Sequence, residues 1–230
     1  MYQSNTIRQC LWLIATIRQN GRLTLKALQE KWTADSTTVK DRIVLENVPE
    51  GEQFLPVIIK AIRLNRRLHM RYQRFGCEVS EKTVEPYVLK LWGRRWYLLV
   101  FTGHHMATYS LDRMLSVEMT DETFVMPDTF SSEQFFGEYY GVLTDETTPL
   151  THAVVRAYGK TANYLRTLPL HHSQRVKDTT EAYTDFSYDI RPTPDFIGEL
   201  LKYDQGLEVV DPPELRLKIC KIMEEMLNRY

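Results

Sequence analysis

The stretch that decides the fold runs from Glu85 to Phe101 and reads EPYVLKLWGRRWYLLVF. Residues 84–91 are rich in Val, Tyr and Leu, and Gly93 supplies a turn before a second apolar run, so two strands joined by a tight turn are predicted. Three cations lie beside the aromatic side chains of this stretch: Lys90, Arg94 and Arg95. Because aromatic rings stack on bases and guanidinium groups bind phosphate, the pattern is also compatible with a nucleotide-binding surface.

The second strand of this pair allows two interpretations, because alternate side chains of a strand lie on opposite faces of the sheet. One face carries Arg95, Tyr97, Leu99 and Phe101, and the other carries Arg94, Trp96, Leu98 and Val100. The aromatic residues either form a core with the arginines at its solvated edge, or they line a ligand site together with the arginines. Spacing alone favours the core.

Further short strands surround this pair, with no helix between them. LHMRYQRF alternates from Leu68, and the run from His104 to Thr120 contains a fourth and a fifth strand. We therefore predict an antiparallel barrel or strongly bent sheet over residues 68–124, preceded by a linker helix within residues 49–67.

The C-terminal half of the chain has a different order of predicted helices and strands. Residues 125–147 are acidic and predict a linker with a helical turn around Ser132–Phe136. Residues 148–230 then alternate as strand, helix, two strands, helix, strand and a terminal helix, which predicts a ferredoxin-like domain. The fold class predicted for the whole chain is α+β.

The N-terminal region, residues 1–48, is predicted to be helical. The helix pair at its start, with Thr24 capping the second helix, is typical of the beginning of a helix-turn-helix unit. The segment that follows supplies only Lys40 and Arg42 as basic residues, and no glycine-rich wing hairpin comes after it. Two interpretations stay open: an incomplete DNA-binding head that uses Lys40 and Arg42, or a small helical packing or dimerisation element.

Charge is unevenly distributed along a chain whose formal net charge is only −1. Residues 60–74 hold six Lys/Arg and no acid, whereas residues 114–155 hold eight Asp/Glu and no Lys/Arg. Because salt limits each field to about 10 Å, a basic block in a near-neutral protein can still bind an anion locally. The alternative is a solvated helix face without a partner.

Motifs of several catalytic and cofactor-binding classes are missing from the sequence, including the phosphate loop, the dinucleotide fingerprint, the nucleophile elbow and the zinc-protease helix. The neighbours His104-His105 and His171-His172 would point to opposite faces of a strand, so neither pair readily chelates one metal. No cofactor, metal site or enzymatic activity is therefore expected. An enzyme that acts on a nucleotide stays a third hypothesis.

The cysteines and the apolar runs indicate the compartment. Cys10, Cys77 and Cys220 are widely spaced and odd in number, which is typical of a reducing environment. No apolar run reaches the roughly 18 residues that a membrane helix needs, and the N-terminus lacks the pattern of a signal peptide. A cytoplasmic protein is expected.

Three motifs resemble the WYL-domain family of bacterial transcriptional regulators: EPYVLK at residues 85–90, RWYL at 95–98 and YSLDRM at 109–114. Residues 48–62 resemble the linker helix that precedes WYL domains. Residues 165–176 and 209–230 resemble the C-terminal extension that follows them. The N-terminal helix pair resembles the start of the family's winged helix-turn-helix, in a shortened form.

This resemblance implies an Sm-like, SH3-type WYL barrel, a ferredoxin-like extension and a homodimer. It implies these ligand-binding residues: Arg71, Tyr72, Arg95, Trp96, Tyr97, Asp112 and Arg113. Ala107 and Ser110 stand where many members of the family have arginines. Arg71, Arg95 and Arg113 would therefore have to carry an anionic ligand.

The function expected from the resemblance is ligand-sensing transcriptional regulation. The WYL barrel would bind a nucleotide or a single-stranded nucleic acid as effector, and Lys40 and Arg42 would contact operator DNA. The alternative is an accessory protein that binds nucleotides or nucleic acid without operator recognition, because its DNA-binding head is incomplete.

Overall fold

The computed structural model describes residues 50–230. The predictions made for residues 1–48, including the DNA contacts of Lys40 and Arg42, lie outside this range. The described chain is α+β and contains two antiparallel sheets, one of five strands and one of four.

The first sheet follows a short helix. In chain order the elements are a 3₁₀ turn (Glu52–Phe54), α1 (Leu55–Leu64), β1 (Arg66–Gln73), β2 (Val79–Trp92), β3 (Arg95–Phe101), β4 (Met106–Ser110), a second 3₁₀ turn (Leu111–Arg113) and β5 (Met114–Thr123). The strand order is β4-β3-β2-β1-β5, and every neighbouring pair is antiparallel. Helix α1 packs on this sheet through three buried residues one turn apart: Leu55, Ile58 and Ala61.

This sheet does not close into the barrel that the sequence predicted. Closure would require β4 to pair with β5, but these strands lie at opposite edges of the described sheet. Strand β2 is long enough to pair with β1 through residues 79–84 and with β3 through residues 85–92. The sheet is strongly bent instead, which is the other alternative that the sequence predicted. The turn Leu111–Arg113 joins β4 to β5 with only three residues, too few to cross a flat five-stranded sheet whose strands are about 4.8 Å apart. The rings of Tyr109 on β4 and Tyr72 on β1 accordingly lie 4.8 Å apart.

The second sheet forms the C-terminal domain. Its elements are β6 (Thr151–Tyr158), α3 (Gly159–Thr167), β7 (Arg175–Thr179), β8 (Tyr183–Ile190), α4 (Pro194–Leu201), β9 (Leu207–Asp211) and α5 (Pro213–Leu227), after the short α2 (Ser132–Gly137) that precedes the domain. The strand order is β7-β8-β6-β9. The largest buried side chains of its core are Tyr188, Phe186 and Phe196. None of the helices within residues 50–230 has the length and apolar character needed to cross a membrane.

The segment between the two sheets is packed along its length rather than loose. Phe124 and Phe130 contact the Tyr87 ring of β2, with centroid distances of 5.7 and 5.0 Å. Farther along, Tyr140 meets Trp92 edge to face at 4.7 Å. These aromatic contacts hold the connection against the first sheet before the chain enters the second.

A buried histidine, His171, lies beside the exposed His172 in the C-terminal domain. His171 is 9% exposed, its ring lies 4.2 Å from that of His172, and its Nδ1 is 2.7 Å from the Ser173 hydroxyl oxygen. Burial, followed by the electrostatic effect of the neighbouring His172, lowers the pKa of His171 to about 4. His171 is therefore neutral in the folded protein at neutral pH.

We expect acid to destabilise the fold partly through His171. Its folded pKa lies below the unfolded value of about 6.5, so the unfolded state binds more protons as the pH falls from about 6.5 toward 4. The melting temperature should decrease over this range, and His171→Gln should flatten the decrease. The exposed His104→Gln variant is the control. An unchanged slope in His171→Gln would contradict this assignment.

Candidate functional site

The turn after β4 brings an arginine between two aromatic rings. The guanidinium carbon of Arg113 lies 5.6 Å from the ring centroid of Tyr72 and 5.3 Å from that of Phe75, within the range of cation–π attraction. The Nε atom of Arg113 is buried and has no hydrogen-bond partner. Within residues 50–230, no carboxylate forms an ion pair with this guanidinium. Arg113 is therefore a partly buried cation whose hydrogen-bonding capacity is incompletely used.

Two tyrosines form the inner wall of this cluster. Tyr72 is 3% exposed at the end of β1 and meets the Tyr109 ring of β4 edge to face at 4.8 Å. Burial raises the pKa of both phenols, and the positive charges of Arg113 and Arg74 only partly oppose that rise at Tyr72. Both tyrosines therefore stay neutral at physiological pH.

The residue before Arg113 in this turn, Asp112, carries a carboxylate. Asp112 accepts a hydrogen bond from the Ser110 hydroxyl, and one of its oxygens lies 3.8 Å from Arg95 Nε. Its side chain is only 13% exposed, whereas that of Arg95 is 43% exposed. The charge of Arg95 is thus compensated within the protein, in contrast to that of Arg113.

The other predicted ligand residues, Trp96, Tyr97 and Arg71, have surroundings that differ from those of Arg113. Trp96 is half-buried and packs against the core beneath α1. Tyr97 is half-buried on β3, opposite Lys90 of β2 and Ser110 of β4. Arg71 is exposed on the face of β1 opposite to Tyr72, and its Nε lies 3.1 Å from Glu81. The geometry therefore groups Tyr72, Asp112, Arg113 and Arg95, and it leaves Arg71 outside the cluster.

Two residues of this cluster were missed by sequence reasoning. Phe75 is 76% exposed in the turn after β1, where it stands beside Arg113. Arg74 precedes it in the chain, and its charge partly opposes the rise that burial causes in the pKa of Tyr109. Both residues directly follow the alternating strand β1, where the period-two pattern that assigns side chains to a face ends.

Much of the basic block is neutralised by acids from neighbouring strands. Arg66 pairs with Asp121 at 3.0 Å, and Arg67 pairs with both Glu85 and Glu122. Together with the Arg71–Glu81 pair, these contacts neutralise three of the six cations. The block is therefore not a uniform anion-binding face, and its end at Arg74 is the part that reaches the candidate site.

Lys90, in the stretch from Glu85 to Phe101, also has partners within the protein. Lys90 Nζ donates a 2.6 Å hydrogen bond to the carbonyl of Gly141 and lies 3.9 Å from the ring centroid of Phe136. Burial lowers the pKa of Lys90, and Asp195 partly opposes that effect. Lys90 therefore joins the first sheet to the connecting segment and is not available as a solvated anion contact.

Comparisons with known proteins follow the same division of the chain. The WYL domain family matches residues 53–119, and the WCX domain family matches residues 149–227. No curated protein matches the chain.

Two solved structures are also similar to parts of this chain. Proteasome accessory factor B/C (PafBC) of Arthrobacter aurescens is 17% identical, with a TM-score of 0.33, over 81% of this chain and 28% of that chain. A crystal structure of a CRISPR Cas-related protein is 12% identical, with a TM-score of 0.46, over 77% of this chain and 51% of that chain. The chain therefore spans about half of one of these proteins and less than a third of the other.

Proposed function

This chain is a WYL-domain protein with a WCX domain, and from that premise we propose that it is a ligand-sensing transcriptional regulator. Its effector is a nucleotide or a single-stranded nucleic acid, bound at the cluster formed by Tyr72, Arg74, Phe75, Tyr109 and Arg113. Both matched families are regulatory, which supports a regulatory rather than a catalytic role.

The proposal rests on Arg113, whose charge and hydrogen-bond donors are incompletely satisfied within the described chain. Its guanidinium is held between two rings, has a buried Nε without a partner, and has no carboxylate ion pair in the described chain. A guanidinium has five N–H donors in a planar fork that matches phosphate oxygens. A phosphate group would supply the counter-charge that Arg113 lacks within the described chain.

The neighbouring residues favour a nucleotide over a simple inorganic anion. The ring of Phe75 is exposed beside Arg113 and offers a stacking face for a base. Arg74, directly before Phe75 in the chain, supplies a second cation. Asp112, paired with Arg95 across the turn, would repel a phosphate and so directs the anionic group toward Arg74 and Arg113.

Arg113→Met should weaken the binding of a fluorescently labelled single-stranded oligonucleotide about tenfold or more. Methionine keeps an apolar stem but removes charge-assisted hydrogen bonds worth about 1.5–3 kcal/mol each. The slope of log affinity against log salt should fall by about 0.7 for each phosphate that the protein no longer neutralises. Fluorescence anisotropy at two salt concentrations measures both effects.

Arg71→Met is the matched control for this experiment. It removes the same charge from the same sheet, but Arg71 is exposed and already paired with Glu81. Its effect on affinity should be small. Equal losses in the two variants would mean that only general charge matters, and unchanged affinity in Arg113→Met would remove the proposed site.

The remaining parts of the proposal concern architecture and DNA. The strand order β7-β8-β6-β9, with α3 and α4 as the connections between strands, supports a ferredoxin-like C-terminal domain. For the first sheet, only the match to the WYL domain family supports an Sm-like fold. Operator contacts by Lys40 and Arg42, and a homodimer, belong to the same proposal. A gel-shift assay on Lys40→Ala/Arg42→Ala with candidate operator DNA separates a regulator from an accessory binding protein.

A further inference from the structure

The C-terminal domain contains an apolar pocket far in sequence from the Arg113 cluster. It has a volume of about 180 Å³ and lies between α4, β9 and α5. The apolar part of its wall consists of Val155, Leu200, Leu201, Leu207, Val209 and Ile219, with Cys220 and Met223 beside them. The deepest residues, Val155, Leu200 and Val209, are at most 6% exposed and belong to the domain core.

The size of the pocket limits what it can hold. An apolar cavity of about 150 Å³ is large enough to bind benzene. The pocket therefore admits one aromatic ring or one branched aliphatic group, but not a long acyl chain. Its walls supply no hydrogen-bonding side chain apart from those at its rim.

The rim carries charges of both signs. Arg216 Nη2 lies 2.9 Å from Glu208, and the Arg216 side chain is 54% exposed, so its other N–H groups can still donate. Glu208 is also engaged by the hydroxyl of Tyr158 at 2.7 Å. Asp204 lines the same pocket, and no hydrogen bond or ion pair to another described residue occupies its carboxylate.

We propose that this pocket binds a free α-amino acid with an apolar side chain, of the leucine or phenylalanine type. The side chain fills the apolar pocket, the carboxylate accepts hydrogen bonds from Arg216, and the ammonium group pairs with Asp204. Asp204 and Glu208 would repel a simple anion, and a simple amine would lack the carboxylate that accepts from Arg216, so the zwitterion makes both kinds of contact. This site is separate from the Arg113 cluster and does not depend on the function proposed for it.

Isothermal titration of the full chain with L-leucine and L-phenylalanine tests this proposal. Arg216→Met and Asp204→Asn should each lower affinity about tenfold or more, because each removes a charge-assisted contact. Lys218→Met is the matched control, since Lys218 is exposed on the same helix but does not line the pocket. N-acetyl-L-leucinamide keeps the side chain without the charges and should bind at least tenfold more weakly than leucine.

A second measurement uses the cysteines of the protein. Cys220 lies in the pocket wall and is half-buried, whereas Cys77 is exposed far from it in sequence. Leucine should slow the alkylation of Cys220 by iodoacetamide, followed by peptide mass spectrometry, and should leave the rate at Cys77 unchanged. This readout needs no variant and so does not depend on whether a substitution disturbs folding.

Each outcome decides the proposal. Detectable binding, selective protection of Cys220 and weaker binding in both rim variants support it. No heat of binding and no protection at millimolar leucine or phenylalanine overturns it. Equal affinity for N-acetyl-L-leucinamide also overturns it, because the pocket would then recognise only an apolar group.

Discussion

Gly141→Ala is expected to lower the free energy of unfolding by about 3–5 kcal/mol, the sum of backbone strain and broken hydrogen bonds. Gly141 has a φ of +87°, and a Cβ there would lie closer than 3 Å to the Asp195 carboxylate. That carboxylate accepts hydrogen bonds from the backbone N–H groups of Val142 and Leu143 at 2.8 and 2.9 Å. The added methyl group must therefore displace an acceptor that holds the connecting segment to the start of α4.

The destabilisation should extend to the first sheet, because the carbonyl of Gly141 also accepts the hydrogen bond from Lys90. Urea unfolding followed by circular dichroism measures the change. Gly93→Ala is the control, since Gly93 also has positive φ, +51°, but an added Cβ would meet no atom within 4 Å. It should cost only the backbone strain, about 1–2 kcal/mol. Equal destabilisation in both variants would show that the contact with Asp195 contributes nothing.

Arg156→Met should lower the melting temperature by about 6 °C or more, because it leaves a buried carboxylate without its counter-charge. Arg156 binds Asp185 through two hydrogen bonds of 2.8 and 2.9 Å between β6 and β8, and Asp185 is 7% exposed. The guanidinium also stacks 3.7 Å from the Tyr183 ring centroid. The hydrogen bonds to Asp185 raise the pKa of Arg156 above its usual value, so Arg156 stays charged.

The double variant Arg156→Met/Asp185→Leu distinguishes the unpaired charge from a simple packing defect. Replacing both partners removes the buried charge, so most of the original stability should return. Arg66→Met is a further control, since Arg66 pairs with the fully exposed Asp121 and its removal should lower the melting temperature by less than about 3 °C. A double variant as unstable as Arg156→Met would contradict the explanation.

Secondary structure was predictable wherever side-chain periodicity was strong. The helix before the first sheet, the hairpin around Gly93 and the helical turn near Ser132 are all present. The polar segment after Gly76 carries no strand signal in the sequence, yet β2 begins at Val79. Its polar residues face solvent while its backbone pairs with β1, so the sequence lacked the apolar alternation that identifies a half-buried strand.

The candidate site was predictable only in part. Motif residues Tyr72, Asp112 and Arg113 do come together, because they lie at strand ends that the sheet order makes neighbours. Arg71 was named with them, but alternation along β1 sends its side chain to the other face. Phe75 and Arg74 were not named, since a turn has no periodicity from which to infer where a side chain points.

The sequence by itself determined the mixed helix-and-strand class of the described chain and the residue types available near the hairpin, because both depend on local spacing and motif. Only the tertiary structure decided which cations are neutralised. Arg66, Arg67, Arg71 and Lys90 find acceptors on strands or segments far away in the chain, whereas Arg113 finds two rings and, within the described residues, no carboxylate. Charge compensation depends on distances of a few ångströms between residues that are distant in sequence, and no local pattern encodes those distances.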